Sequence, residues 1–487
     1  MLESLIKKRI ADGDSTVIND QCTARLSSIY EAARALGWAL KVGGLNPGER
    51  VMLVLDNSVD YFIAELAVMF IGGVVVPANT RLTERELREL NGLAQPVRWI
   101  VHATYTERLH AACAQASLNH VIELPSGLSN PFSHINECFG RAPDTFPLHA
   151  VEERDIAAIF PTAGTSGKPK GALTSVGALV AFVDVLRDAI GLTEADTLLM
   201  PLPLFYTGGF KVSLSVLLTG ATLVLPTQWK GYELIDLIHR YKVSILWAVP
   251  SVWALVLGAA SDPELLQSLR LIYRGGSFTP QRVIEQIDRL LPGRAHVQGY
   301  GLTECNFVTV ERDSTEYVKS CGFPILRSEV MIDGAVKPGE RGEVLVRGPQ
   351  QFSGYFGNEA MTHDVIKDGW VHTNDIGSID HDGRLYVYGR AGDIIIRGGE
   401  NISAAEIEQC IIEIDGVIEA AVIGVEDDIF GHEIKAVIVS DAALDGDAVR
   451  EQCAKVLAPY KIPKYIDFRR EPLPKNTAGK VVKRELR

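Results

Sequence analysis

The chain has 487 residues, 47% of them hydrophobic and 22% charged, with 61 Asp and Glu against 48 Lys and Arg. A net charge of −13, with no basic patch interleaved with aromatic residues, excludes a nucleic-acid-binding role. The length suits about two to four domains of roughly 100–200 residues.

No signal peptide is expected, because Lys7, Lys8, Arg9 and Asp12 interrupt the N-terminus before any apolar run. Seven cysteines at 22, 113, 138, 305, 321, 410 and 453 show no CxxC pair and no metal spacing. They read as reduced thiols, which implies a cytoplasmic location. The pattern predicts a helix over Leu26–Val42, a turn and strand over Gly48–Asp56, and a helix over Tyr61–Ile71. A strand at Val74–Val76, a helix at Thr83–Asn91 and a strand at Arg98–Val101 follow. The most hydrophobic stretch, Tyr61 to Pro77, carries Glu65 and the breaker pair Gly72-Gly73, and reads as a buried helix and strand rather than an integral membrane segment.

A second alternating set follows: strands at Ile156–Phe160, Leu198–Met200, Thr222–Leu225, Ser244–Ala248 and Leu271–Tyr273, with a helix at Tyr232–Tyr241. This βα rhythm implies parallel sheets covered by helices. From Glu343 the texture becomes β-rich, with strands expected at Glu343–Arg347, Trp370–Asp375, Gly377–Asp380 and Leu385–Gly389. A separate small α+β unit begins near Arg390, with strands Ile394–Ile396, Ala420–Val425 and Glu433–Val439 and a helix Ala404–Glu413.

The stretch Phe160-Pro-Thr-Ala-Gly-Thr-Ser-Gly-Lys-Pro-Lys-Gly171 concentrates glycines, hydroxyls and lysines at a strand end. Such a loop offers backbone N–H groups, hydroxyls and ammonium groups to a polyphosphate. It is not the common P-loop, since Gly164 to Gly167 is too short and Pro169 follows Lys168. Four further segments carry chemistry: Gly299-Tyr-Gly-Leu-Thr-Glu304, Trp370-Val-His-Thr-Asn-Asp375, Gly389 to Ile402 with Arg390 and Gly398-Gly399, and Leu473-Pro-Lys-Asn-Thr-Ala-Gly-Lys480. Each alone has a plainer reading. Asn374-Asp375 reads as a turn, Glu304 as a first-turn acid of a helix opened by Thr303, and Lys480 as one of a solvated basic tail.

Together and in this order, from about residue 25 to the end, they resemble the adenylate-forming superfamily of acyl-CoA synthetases, aryl-CoA ligases, firefly-type luciferases and adenylation domains. The resemblance is nearest in type to the acyl- and aryl-CoA ligases. It implies an α/β enzyme whose large N-terminal body, residues 1–390, holds two parallel-sheet subdomains and a small β-barrel section. A small, mobile C-terminal α+β domain, residues 391–487, would act as a lid. It further implies that Thr162, Gly164, Thr165, Ser166, Gly167 and Lys170 hold the ATP phosphates, with Mg2+ on Glu304 and Thr303 beside it. Asp375 and Arg390 would take the ribose, Gly275, Gly276, Ser277 and Tyr300 the adenine, and Lys480 would bridge carboxylate and α-phosphate. Gly392 falls at the hinge position, where the family has Asp or Lys, and Arg397, Gly398, Gly399 and Glu400 would approach a thiol tunnel. Glycine adopts both hinge conformations readily, so rotation stays feasible.

Other departures are Ala163 for Ser in the phosphate loop, Asn374 for Gly before Asp375, and Tyr206 where such ligases carry His. The acyl pocket implied by the resemblance comprises Tyr206, Thr207, Gly209, Trp247, Val249, Gly275, Gly299, Asn306 and Phe307. Phe205-Tyr206-Thr207-Gly208-Gly209 contains no acid to pair an α-ammonium, which argues against an amino-acid substrate. Trp247 and Phe307 are bulky and favour an aryl or short-to-medium acyl group. The expected reaction is ATP- and Mg2+-dependent activation of a carboxylic acid to an acyl-adenylate, then thioester formation with CoA. Transfer to a carrier protein's phosphopantetheine is the alternative acceptor step, and a homodimer is compatible with the sequence. A phosphoryl-transferring kinase or ATPase predicts ADP instead of AMP and leaves Lys480 without a role. A non-catalytic nucleotide-binding protein predicts losses at Lys480, Glu304 or Asp375, and all three are present.

Overall fold

Four consecutive apolar residues, Val74–Pro77, are buried at every position, as a strand covered on both faces requires. They lie within a six-stranded sheet of order Val121–Leu124, Arg98–His102, Arg50–Val54, Val74–Pro77, Ile156–Ala163, Pro169–Ser175, parallel except for the last hairpin. The computed structural model describes residues 2–113, 120–127, 130–144, 146, 148–163, 169–276, 279, 281–312, 314–397, 400–427, 430–442, 444–475 and 481–486.

A second sheet has nine strands, in the order Phe323–Pro324, Asn306–Glu311, Ala295–Leu302, Leu271–Gly275, Ile245–Ala248, Thr197–Leu199, Thr222–Val224, Thr16–Ile18, Thr23–Arg25. Its middle strands are parallel and its edges antiparallel. Alternation along each strand decides which side chain meets which layer. Val51 and Leu53 face a core shared with Ile245, Leu271 and Tyr273 of the second sheet, whereas Met52 and Val54 face outward under the helix Glu84–Ala94. Helices Leu26–Val42, Val59–Phe70, Val176–Ile190 and Thr207–Thr219 fill the shared middle layer. Helices Gly231–Tyr241, Pro250–Ala259 and Gln281–Leu290 cover the far face of the nine-stranded sheet.

The helix Val59–Phe70 is buried along its whole length and starts at Ser58, whose Oγ accepts from the Tyr61 N–H. Among the described residues, no helix is long and apolar enough to cross a membrane. A third, antiparallel sheet joins Glu329–Ile332, Gly342–Arg347, Trp370–Ile379, Ile366–Lys367 and Leu385–Arg390. The two strands expected around Asp375 are one, Trp370–Ile379, so the Asn374-Asp375 turn reading is corrected. Asn374 passes through it at φ +57, a left-handed conformation that Gly takes freely and Asn tolerates. That accounts physically for Asn standing where the motif of the resembled family has Gly.

The C-terminal unit is a sheet of Glu400–Ser403, Ile394–Arg397, Gly431–Ser440, Val417–Asp427 and Tyr465–Arg469. Helices Ala404–Ile412 and Gly446–Ala454 pack on one face, and Leu473 and Leu486 on the other. It contacts the body where the Glu413 carboxylate accepts from the Gln281 N–H at 2.6 Å and Arg282 Nη2 donates to the Val417 carbonyl at 2.9 Å.

Candidate active site

The glycine- and lysine-rich loop is the tip of the hairpin Ile156–Ala163 and Pro169–Ser175, with Thr162 opposite Lys170 in register. Gly164, Thr165, Ser166 and Gly167 lie outside the described residues, as do Ser277, Gly398, Gly399 and Lys480. Lys170 Nζ stands 5.2 Å from the ring centroid of Tyr355, and the Tyr355 hydroxyl donates to Glu304 Oε1 at 2.7 Å. Burial first, then the Glu304 charge, pushes the Tyr355 phenol far above its ordinary value, so it stays a donor.

Thr303 and Glu304 do not open a helix. They form the turn between strands Ala295–Leu302 and Asn306–Glu311, fixed by the Phe352 N–H donating to the Glu304 carbonyl at 2.7 Å. Thr162, Lys170, Tyr355 and Glu304 thereby border one place: two hydroxyls, an ammonium and a carboxylate at the base of the phosphate-type loop. No group of three or more His, Cys, Asp or Glu suited to a metal occurs among the described residues. A single carboxylate there fits Mg2+, which takes most of its oxygens from phosphates and water.

Asp375 lies on the strand Trp370–Ile379. It is 6% exposed, accepts from Tyr300 Oη at 2.6 Å and pairs with Arg390 Nε at 2.8 Å. Arg390 is its register partner on the neighbouring strand and also donates from Nη1 to the Thr373 carbonyl. Burial and then the Asp375 charge hold the Tyr300 phenol well above its usual range. The charges of Asp375 and Arg390 both reach Cys305, next to Glu304, so this cluster and the previous one are electrically continuous. Gly275 ends the strand Leu271–Gly275, and Gly276 turns the chain at φ +82 against Val249.

Of the residues expected to bind the acyl group, Trp247, Gly299 and Phe307 come together, joined by Tyr273. Trp247 and Tyr273 stack with ring centroids 3.5 Å apart, and Phe307 stands edge-on to both. A Cβ on Gly299 would lie 1.5 Å from the Phe307 ring, so the glycine makes the space the phenylalanine fills. Gly209 is just as restricted, since a Cβ there would meet the Pro203 carbonyl at 2.1 Å. Tyr206 caps the helix beginning at Thr207, and its hydroxyl accepts from Asn79 Nδ2 at 3.3 Å. Burial pushes the Tyr206 phenol up to about 12, leaving a neutral hydroxyl. Asn306 sits at φ +55 and donates from Nδ2 to the Gln350 carbonyl at 2.6 Å.

Gly392 lies in the exposed 3₁₀ turn Ala391–Asp393, with open space around its missing side chain. Arg397 is held in this conformation by a two-pronged pair with Glu433, at 2.8 and 2.9 Å, and by the Phe430 ring. Its guanidinium is therefore engaged inside the C-terminal unit. Glu400 begins the strand Glu400–Ser403. Two features escaped the sequence reading. Tyr355 bridges Lys170 and Glu304 from a distant segment with no local signal. Lys211 is charged, but lies in a helix too uniformly apolar to show a period.

Residues 12–356 match the model of the AMP-binding enzyme, and residues 406–480 match that of the AMP-binding enzyme C-terminal domain. The chain is 31% identical over 484 residues to a 2-succinylbenzoate–CoA ligase of Bacillus licheniformis, covering 98% of this chain and 96% of that one. ATP-bound MatB from Rhodopseudomonas palustris superposes with a TM-score of 0.90 at 28% identity, covering 100% of this chain and 98% of that one. The o-succinylbenzoate coenzyme A synthetase of Bacillus subtilis in complex with ATP and magnesium ion gives a TM-score of 0.87 at 26% identity, covering 99% of this chain and 98% of that one.

Proposed function

This chain belongs to the AMP-binding enzyme family, and we propose that it activates a hydrophobic carboxylic acid with ATP and passes the acyl group to CoA. In the first step the carboxylate attacks the α-phosphorus, forming an acyl-adenylate and releasing pyrophosphate. In the second a thiolate attacks the acyl carbon and AMP leaves. Positioning and charge neutralisation supply most of the rate in such phosphoryl chemistry.

Thr162, Lys170 and the loop residues Gly164, Thr165, Ser166 and Gly167 would hold the β- and γ-phosphates, with Thr303 beside them. Glu304 would hold Mg2+, which neutralises charge on the phosphates when bound. Asp375, with Arg390 and Tyr300, would accept the ribose hydroxyls, and Gly275, Gly276 and Ser277 would flank adenine. Lys480 would bridge the carboxylate and the α-phosphate. Residues 1–390 form the body and 391–487 the lid in this reading. Rotation about Gly392 would withdraw Lys480 and bring Arg397, Gly398, Gly399 and Glu400 toward the thiol, which requires Arg397 to leave Glu433.

The observation that supports this most is the Asp375 carboxylate. It is shared between Tyr300 at 2.6 Å and Arg390 at 2.8 Å, and its charge reaches the turn that carries Glu304. CoA is favoured over a carrier protein because the Bacillus licheniformis relative is a 2-succinylbenzoate–CoA ligase.

The test is acid-dependent ATP–pyrophosphate exchange with a carboxylic-acid panel, followed by AMP release on adding CoA. Exchange with one acid class, lost in Lys480→Ala, is the expected result. ADP release without exchange would replace the adenylate reading with phosphoryl transfer.

A further inference from the structure

One charged group in the middle layer has no task in the proposed chemistry. Lys211 lies in the helix Thr207–Thr219, is 0% exposed, and its Nζ has no hydrogen-bond partner among the described residues. Leaving an amine buried and unpaired costs free energy that an apolar side chain of similar length would not. The helix gives the amine an address. Lys211 is four residues after Thr207 and three after Gly208, so the three share one face, about 5.4 Å apart per turn. Gly208 is exposed, with open space where a side chain would be. On that face Gly208 lies at the surface next to Tyr206, and the Lys211 amine lies buried one turn deeper.

The neighbours of Lys211 belong to the site. Its Nζ lies 5.5 Å from the Phe160 ring centroid, on the strand that leads to Thr162. Its electrostatic neighbour is Cys305, in the turn that carries Glu304. Trp247, Tyr273 and Phe307 belong to the same layer.

We propose that Lys211 is a specificity-determining residue that receives a second carboxylate on the acid, so that the enzyme prefers short dicarboxylic acids to monocarboxylic acids of equal length. This rests on the adenylation reading above but replaces the hydrophobic acid proposed there with one that carries a second carboxylate at its far end. In this reading the stacked aromatic rings limit the length of the acid, and the Lys211 amine selects what its far end carries. With the reacting carboxylate at the start of this face, one helical turn, roughly 5 Å, would separate it from Lys211, a spacing that suits a glutarate- or adipate-sized acid.

The titratable surroundings allow a direct readout. Burial pulls the Lys211 amine down to about 7. Facing it, the Cys305 thiol is pushed well above its ordinary value by burial and then by Glu304, so it stays neutral. Phe160 contributes only a ring. Tyr61, in the helix Val59–Phe70, touches the neighbouring Phe210, and Tyr61 and Glu65 of that helix are both held in their neutral forms, chiefly by burial. Above pH 7 the free enzyme thus carries progressively less charge at Lys211, while both carboxylates of glutarate stay ionised.

The experiment measures kcat/KM for ATP–pyrophosphate exchange with glutarate against pentanoate, and adipate against hexanoate, from pH 6.5 to 9. Wild type and Lys211→Met are compared in the full-length protein. The expected wild-type ratio favours the diacid by more than about tenfold at pH 6.5–7 and falls toward tenfold per pH unit above it, since kcat/KM reports the free enzyme. Lys211→Met should show a ratio near or below one with no pH dependence. A wild-type ratio that is flat with pH, or unchanged by Lys211→Met, overturns the proposal while leaving adenylation intact. If Lys211 serves the ATP phosphates instead, both acids lose activity together and the ratio stays flat. Silence with every acid overturns the adenylation reading and this one with it.

Discussion

Replacing Phe307 with alanine should lengthen the acyl chain that this enzyme accepts. The ring is 6% exposed and occupies the volume that any side chain at Gly299 would need, a Cβ there lying 1.5 Å from it. Its other neighbours are the stacked rings of Trp247 and Tyr273, with centroids 5.9 and 5.8 Å away. Removing the ring opens a hollow bounded by Gly299 and the rings of Trp247 and Tyr273. Each methylene buried there contributes about 0.8 kcal/mol, so roughly three added methylenes give about 2.4 kcal/mol, or a sixtyfold rise in kcat/KM. The same truncation costs about 3–5 kcal/mol of stability, a large share of the 5–15 kcal/mol typical of folded proteins. The assay is therefore run near 15 °C after a thermal melt has shown the variant folded, with Phe307→Leu as a milder control. Pyrophosphate exchange across straight-chain acids from acetate to decanoate should move the optimum by about three carbons. An unchanged profile in a folded variant would refute the placement of the acyl pocket against Trp247, Tyr273 and Phe307.

Asp375→Asn keeps the shape of the side chain but leaves Arg390 without its carboxylate and presents an NH2 to Tyr300. Hydrogen bonds to charged groups contribute about 1.5–3 kcal/mol, so the KM for ATP should rise about ten- to a hundredfold while the KM for the acid holds steady. Equal increases in both, measured as AMP release, would remove Asp375 from the nucleotide site. Gly392→Pro places a ring in open space but fixes φ near −65°. Transfer of a preformed adenylate to CoA should then slow by more than about tenfold, a barrier increase of roughly 1.4 kcal/mol, with pyrophosphate exchange within a factor of about three. Equal loss in both half-reactions, read by rapid quench, would make Gly392 a structural residue rather than a hinge.

What was legible in the sequence depends on whether a feature is written locally. The all-valine run at Val74–Val76 announces a strand inside a parallel sheet because burial on both faces leaves no polar alternation. The phosphate-type loop announces itself because backbone N–H groups must be freed by glycines close together. Asn374 misled the reading because a residue that favours turns also tolerates the one left-handed position in a continuous strand. The helix Thr207–Thr219 went unread for the opposite reason: packed between two sheets, it is apolar almost all round and shows no helical stripe. A lysine in such a helix reads as a surface residue until the fold encloses it. The proposed acyl pocket follows the same logic, since Trp247, Tyr273 and Phe307 come from three strands and meet only when the nine-stranded sheet forms. Nucleotide chemistry, which needs a fixed local backbone, is thus readable from motifs. Acid selectivity, which needs convergence of distant side chains, is not written in any one segment.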